Sequence, residues 1–303
     1  WGRKLADNQL VREDGLAIRY RIEGEALLSE DGTQLLGMLE SAEGIVRIPE
    51  NVVEILPGAL ENLEHVDLLL LPVSVKQLDS GSIPANMPQI VSLGQAPEIQ
   101  PDTFADATAV QVWVSAAQAD SYRSRWASLL QEQPELLQTA AERTLKSEPD
   151  YEILTVDQEQ ILLSMTNCPA FLQAGDWPQA VTVIGSRAFL GNPALMVVEI
   201  PESVHTLGRH AFAECPQLEG LVSLNTQKII VQDQALEGAP KLHFAAFNAK
   251  NAEFSDGYQP STAGFAPADT YSQYEYPWSF SFVNQRYSLE RITDAALLYG
   301  RGS

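Results

Sequence analysis

Cysteine, histidine and basic residues are all scarce in this chain, and each scarcity excludes a class of function. Two cysteines in 303 residues, Cys168 and Cys215, with no Cys-x-x-Cys pair, rule out a zinc ribbon or a disulfide-dense scaffold. The four histidines, His65, His205, His210 and His243, are scattered. His205 and His210 could approach each other across a turn, but two imidazoles without a third ligand make a poor metal site. No Gly-x-Ser-x-Gly elbow, phosphate-cradling glycine loop or His-Glu-x-x-His pair occurs. A carboxylate pair such as Asp157 with Glu159 carries no glycosidase signal where 40 acidic residues make chance pairs unavoidable. The sequence thus offers no catalytic, cofactor-binding or metal-binding residue, and the chain is expected not to be an enzyme.

Lys and Arg total 19 against 40 Asp and Glu, a formal net charge of -21. Such a surface repels phosphate backbones, so nucleic acid is excluded and partners should be neutral or basic. No stretch approaches the roughly 18 uninterrupted apolar residues of a membrane helix, so membrane insertion is not expected. After Trp1 no charged, then apolar, then small-residue segment follows, and no secretory signal is visible. A hydrophobic content of 45% with 19% charged residues suits an ordered chain with a large core.

What the chain has is a period. Asn167-Cys168-Pro169-Ala170-Phe171, Asn192-Pro193-Ala194-Leu195, Cys215-Pro216-Gln217-Leu218 and Ala239-Pro240-Lys241-Leu242 place prolines at steps of 24, 23 and 24. Nine residues before the later prolines sit Ile184, Leu207 and Val231, and four before each sit Met165, Phe189, Phe212 and Leu236; Gln160 degrades the earliest copy. A second anchor lies six residues ahead of the aliphatic slot, Pro178 before Ile184 and Pro201 before Leu207, and the same interval links Pro49 to Ile55, Pro72 to Leu78 and Leu93 to Ile99. Units of this size cannot bury their own apolar faces, so they must stack into a solenoid, which offers surface to a partner.

The segments Ile48-Pro49-Glu50-Asn51-Val52-Val53-Glu54-Ile55 and Ile200-Pro201-Glu202-Ser203-Val204-His205-Thr206-Leu207 follow one template. With Ile184-Gly185-Ser186-Arg187-Ala188-Phe189 and Leu207-Gly208-Arg209-His210-Ala211-Phe212, this resembles the BspA-like leucine-rich repeat family, most closely over residues 178–222 and less so over 45–114. The resemblance implies a right-handed solenoid in a bacterial surface or secreted protein used in adhesion or recognition.

Read physically, a run such as Leu195-Met196-Val197-Val198-Glu199-Ile200 is a buried strand that Pro201, lacking a donor, terminates. Residues 203–207 suggest a second short strand, Gly208 a turn, and residues 209–213 one helical turn that lowers Phe212 into the stack. The apolar runs of 25–36 flank Asp31-Gly32 as a hairpin, and 151–162 repeat the device around Asp157, with Leu28 and Leu154 126 residues apart. Residues 115–146 read as two helices broken near Pro134: Tyr122, Trp126, Leu129 and Leu130 mark the first, and Leu136, Leu137, Ala140, Ala141 and Leu145 the second, together covering a sheet edge. From 254 to 287 the chain is aromatic and nearly uncharged, with Trp278, Phe280 and Phe282 alternating along a strand. Residues 292–299 resemble 22–29, as if a third block were starting inside a longer protein.

The fold class expected is α/β, strand-dominated, a right-handed leucine-rich-repeat solenoid in two blocks with a helical cap between them. The boundaries read are 1–44 for an N-terminal hairpin region, 45–114 for the first repeat block and 115–149 for the cap. The second block covers 150–248, and 249–303 form an aromatic-rich C-terminal region. The function expected is a non-enzymatic cell-surface or secreted interaction module for a protein or glycan, as a monomer or weak oligomer. The alternatives are an appendage of a larger carbohydrate-active or peptidase protein, or a spacer. Partner-binding candidates are Asp67 and Glu199, polar members of apolar strands that should face solvent on a concave sheet, and Tyr274, Tyr276 and Trp278. Strands about 4.8 Å apart separate positions two turns apart by roughly 10 Å, beyond the roughly 7 Å a disulfide spans, so Cys168 and Cys215 should be free thiols.

Overall fold

The computed structural model describes residues 5–6, 9–11, 17–178, 180–223, 227–242, 244–247, 252–254, 278–283 and 286–291, with side chains from Arg19 to Leu242 within these and at Glu253. The chain divides into two compact units, Trp1–Thr144 with Thr155–Gln158, and Leu145–Leu154 with Glu159–Ser303.

The first unit opens with five strands, β1 (Leu5–Ala6), β2 (Gln9–Val11), β3 (Ala17–Glu23), β4 (Ala26–Ser29) and β5 (Gln34–Met38), paired antiparallel in chain order. The turn between β4 and β5 uses Gly32 at φ 80°, as the Asp-Gly signal predicts. From there the chain alternates between two sheets. Strands β6 (Gly44–Arg47), β8 (Val66–Leu71), β10 (Gln89–Ser92) and β12 (Gln111–Ser115) pair in parallel in one, while β7 (Glu54–Ile55), β9 (Gln77–Leu78) and β11 (Glu98–Ile99) extend β5 in parallel in the other. Leu35, Ile55, Leu78 and Ile99 stand in register, and the last three are the slots that the six-residue interval marks. Pro49 and Pro72 each follow a longer strand at its end, where a missing donor costs no ladder bond.

Two short helices follow, α1 (Ala119–Arg125) and α2 (Ala127–Glu132). They seat Tyr122 and Trp126 fully in the core, where the Trp126 ring meets Phe104 at 5.5 Å and Tyr122 edge-on at 4.8 Å. Hydrogen bonds from the Tyr122 hydroxyl to Ser92 Oγ at 2.6 Å and from Trp126 Nε1 to the Pro97 carbonyl at 3.0 Å fix both rings. The second helix expected over 135–145 does not form. Leu137–Ala140 is instead strand β13, paired in parallel with β12 through four residues, and Arg143–Ser147 is strand β14. An apolar spacing of four suits either state, and the open edge of β12 decides for strand by supplying a ladder that a helix cannot use.

From β14 the chain continues into β15 (Tyr151–Val156) and β16 (Glu159–Met165), neighbours in that order, with Asp157 at φ 54° between β15 and β16. The alternation then resumes. Strands β17 (Phe171–Leu172), β19 (Val197–Ile200), β21 (Gly220–Ser223) and β23 (Phe244–Phe247) form a four-stranded parallel sheet, and β18 (Val183–Ile184), β20 (Thr206–Leu207), β22 (Ile229–Val231) and β24 (Ala252–Phe254) extend β16. A last antiparallel pair, β25 (Trp278–Val283) and β26 (Arg286–Arg291), contains the alternating Trp278, Phe280 and Phe282. The resemblance of 292–299 to an earlier hairpin falls outside the described residues.

Between short and long strands the chain makes consecutive turns, and the helical turn expected over 209–213 is absent. His210 has φ 54°, which a right-handed helix cannot accommodate. The same slot, three residues after the aliphatic one, is left-handed in Gly58 (φ 67°), Gly81 (φ 59°), Arg187 (φ 64°) and Gln234 (φ 56°). The left-handed residue turns the chain, and the turns bond from one repeat to the next: Phe189 N–H to Ala211 O at 2.8 Å, Gly191 N–H to Ala213 O at 2.9 Å, Phe212 N–H to Ala235 O at 2.8 Å. Gly208 is required for a different reason. A Cβ there would lie 2.4 Å from Ser186 N and 2.7 Å from Gly185 C, so the turns approach backbone to backbone.

Candidate interaction surface

In both units, alternate residues of the longer strands enter the core. Val46, Leu69, Leu71, Ile90, Val112 and Val114 do so in the first unit, and Leu172, Val198, Ile200 and Leu221 in the second. The opposite face is also apolar. Register places Leu70, Val91 and Trp113 in one cross-strand row and Phe171, Val197 and Gly220 in another, and Leu70, Val91 and Val197 are buried. A strand apolar on both faces reads as an unbroken run, which is how Val66-Asp67-Leu68-Leu69-Leu70-Leu71 reads apart from one residue.

That residue is Asp67. Gly44 pairs with Val66 and Ile45 with Leu68, so Asp67 is the extra residue of a β-bulge and is exposed between buried neighbours. A bulge re-aims a side chain, and here it removes a carboxylate from a strand that would otherwise have to bury it. Glu199 behaves differently. It is half-buried between the core residues Val198 and Ile200, and its carboxylate accepts the Ala174 N–H at 3.2 Å. Its carbonyl accepts Trp177 Nε1 at 2.9 Å, and the Trp177 ring meets Phe189 edge-on at 5.6 Å. Sequence reasoning missed Trp177, although Trp177-Pro178 occupies the anchor that Pro201 marks one repeat later. Trp278 lies in β25, while Tyr274 and Tyr276 fall outside the described residues.

The short-strand sheets carry polar ladders that cross repeats. In the first unit Gln34 Nε2 donates to Glu54 Oε2 at 2.5 Å, and Gln77 Nε2 to Glu54 Oε1 at 2.8 Å and Asp79 Oδ1 at 2.6 Å. In the second, Glu159 Oε2 accepts Thr182 Oγ1 at 2.7 Å and stands 3.0 Å from His205 Nε2, while His205 Nδ1 lies 3.1 Å from Thr206 Oγ1. His205 is thus engaged by a carboxylate from two repeats earlier. Among the described residues no group of three or more His, Cys, Asp or Glu is placed to hold a metal ion.

Cys168 and Cys215 are both free and buried, as the register requires. Asn192, at the equivalent position between them, donates to Cys168 Sγ at 3.4 Å and accepts the N–H groups of Ala194 and Leu195 at 3.0 and 3.2 Å. Cys215 Sγ lies 3.1 Å from the Phe189 carbonyl, and burial raises its thiol pKa to about 11.

No curated protein matches the chain significantly. Among solved structures, a leucine rich cell surface protein from Faecalibacterium prausnitzii A2-165 is 12% identical over 78% of this chain and 95% of its own, with a TM-score of 0.30. The pneumococcal vaccine antigen PcpA is 12% identical over 78% of this chain and 81% of its own, with a TM-score of 0.27. A leucine-rich repeat protein from Bacteroides ovatus ATCC 8483 is 16% identical over 80% of this chain and 58% of its own, with a TM-score of 0.20. The sequence profile of the BspA type leucine rich repeat region matches residues 164–257 in six copies, over the strands and turns whose register is described above. Residues 164–257 are BspA-type leucine-rich repeats.

Proposed function

We propose that the chain is a non-catalytic recognition module of a cell-surface or secreted protein, and that it binds a protein or glycan partner through the faces of its longer-stranded sheets. The observation that supports this most directly is the bulge at Asp67. It turns one carboxylate to solvent on an otherwise apolar strand, where a partner can reach it. A solenoid offers an extended face for such contacts, and the net charge of -21 directs it toward neutral or basic partners. Glu199 supplies a second carboxylate on the equivalent sheet of the second unit, and Trp278, Tyr274 and Tyr276 remain candidates for partner contact.

Protein and glycan arrays probed with the intact chain identify the partner. Asp67→Lys should then weaken binding of a basic partner by about tenfold, roughly 1.4 kcal/mol, with the thermal midpoint of the variant measured alongside to separate binding from folding. Unchanged affinity for every array hit would remove this face as the binding surface.

A further inference from the structure

The first unit holds a cleft of about 330 Å³ whose walls are Val73, Val75 and Ala96 and whose polar side chains include Lys76, Gln118 and Arg125. Its charge is opposite to that of its surroundings. Between Ile48 and Thr144 the only Lys and Arg residues are Lys76, Arg123, Arg125 and Arg143, against thirteen Asp and Glu. Lys76 and Arg125 line the cleft, Arg143 stands directly behind it, and no carboxylate is among its lining residues. Arg125 is held only loosely, 3.9 Å from Glu98, and both side chains are largely exposed.

Arg143 also determines what Gln118 can offer. Its Nη2 donates to Gln118 Oε1 at 2.6 Å and to the Leu93 carbonyl at 3.4 Å, while its Nε and Nη1 are buried without a hydrogen-bond partner. Ser115 Oγ donates to the same Gln118 oxygen at 2.8 Å, so that oxygen is occupied and the amide is oriented. Gln118 Nε2 spends one hydrogen on the Leu93 carbonyl at 3.2 Å and keeps the second. Lys76, Arg125 and Gln118 therefore turn only donors to the cleft, and the exposed amide of Gln95 beside them can turn its NH2 inward as well. Gly94 keeps the floor low, because a Cβ there would stand 3.2 Å from Val73 Cα and its carbonyl. At the rim Val73 is 63% exposed, a large aliphatic side chain left uncovered.

We propose that this cleft binds the C-terminal carboxylate of a partner peptide that ends in an aliphatic residue. Val73, Val75 and Ala96 take the side chain, and Lys76, Arg125 and the free hydrogen of Gln118 take the carboxylate. Apolar walls with a few convergent polar groups are the usual make-up of a ligand site. The lining contains no aromatic face on which a sugar ring would pack, which favours a peptide over an acidic glycan. This reading is independent of the sheet-face reading above and is tested separately.

The test is a titration of the isotopically labelled intact chain, followed by amide NMR, with N-acetyl-Gly-Gly-Val, with its C-terminal amide, and with glucuronate. The free acid should shift the backbone amides of Gln95 and Ala96 and the side-chain amide of Gln118 saturably, and the amidated peptide should bind at least about tenfold more weakly. Lys76→Gln and Arg125→Gln, both at exposed positions and so expected to fold, should each lower the affinity for the acid several-fold without changing the thermal midpoint. Equal shifts by acid and amide, shifts by glucuronate alone, or no shift at about 10 mM peptide would overturn the proposal.

Discussion

Phe189 and Phe212 lie face to face, with ring centroids 4.8 Å apart and planes 7° from parallel, one repeat apart in the chain. The ring spacing matches the spacing of the strands beside them, so the stack of aromatic rings and the stack of strands grow with the same step. Both rings are fully buried, and Trp177 closes one end of the pair.

Truncating Phe212 to Ala should therefore cost about 3 to 5 kcal/mol through lost transfer free energy and the cavity left behind. Because a repeat contacts mainly its neighbours, the loss of amide protection should concentrate in the second unit. Hydrogen exchange measured on the intact chain checks this. Equal loss across both units would mean that they do not unfold as separate stacks.

The left-handed slot predicts two substitutions of opposite sign. At Gly81, φ is 59° and nothing lies within 4 Å of the place a Cβ would take, so Gly81→Ala suffers backbone strain alone, about 1 kcal/mol destabilising. At Gln234, φ is 56° on a residue with a side chain, and Gln234→Gly should relieve that strain and stabilise by up to about 1 kcal/mol. Chemical denaturation of the two variants gives both signs, and a destabilising Gln234→Gly would show that its side-chain contacts outweigh the backbone.

The thiols should be silent in the native state and countable in the denatured one. Cys215 ionises only near pH 11 because burial disfavours the thiolate, so iodoacetamide at pH 8 should leave it unmodified while the chain is folded. Denaturation without reductant should expose two reactive thiols. Finding none would contradict the register that sets Cys168 and Cys215 two repeats apart.

Asp31 sits in the turn between β4 and β5, where its Oδ1 accepts the Ser29 hydroxyl at 2.6 Å, the Thr33 N–H at 3.0 Å and the Thr33 hydroxyl at 2.9 Å. These donors, led by Ser29, lower its pKa from 3.8 to about 2. A depressed carboxylate contributes stability that is present above its unfolded pKa and is lost as pH falls toward the folded value, here between about pH 4 and pH 2. Carbon-detected NMR titration should place the midpoint near 2 in the native chain and higher in Ser29→Ala.

The repeat was legible because its slots are filled by residues with few alternatives. Ile184, Leu207 and Val231 stand in register on one sheet, and the phenylalanines four residues ahead of the prolines stack as their spacing implies. Two things were hidden. Leu136, Leu137 and Ala140 satisfy a helical spacing and a strand equally well, and only the unpaired edge of β12, a tertiary fact, selects the strand. The left-handed slot was masked because Arg187, His210 and Gln234 carry no glycine to announce it, although Gly58 and Gly81 do so in the first unit. Of the candidate surface, Asp67 was readable as a lone charge in an apolar run, but the bulge that exposes it depends on pairing with β6.

Each circuit of the chain gives one strand to each of two sheets. Steps of 21, 23 and 24 residues between paired slots all keep the strands in register, so the turns absorb a change of a few residues. Removal of the 23 residues from 185 to 207 would instead bring Ile184 onto Gly208 and leave an intact, shorter stack. Such a protein can change its length only in whole circuits, so over evolutionary time its reach is adjusted by duplication and loss of entire copies while its thickness stays constant.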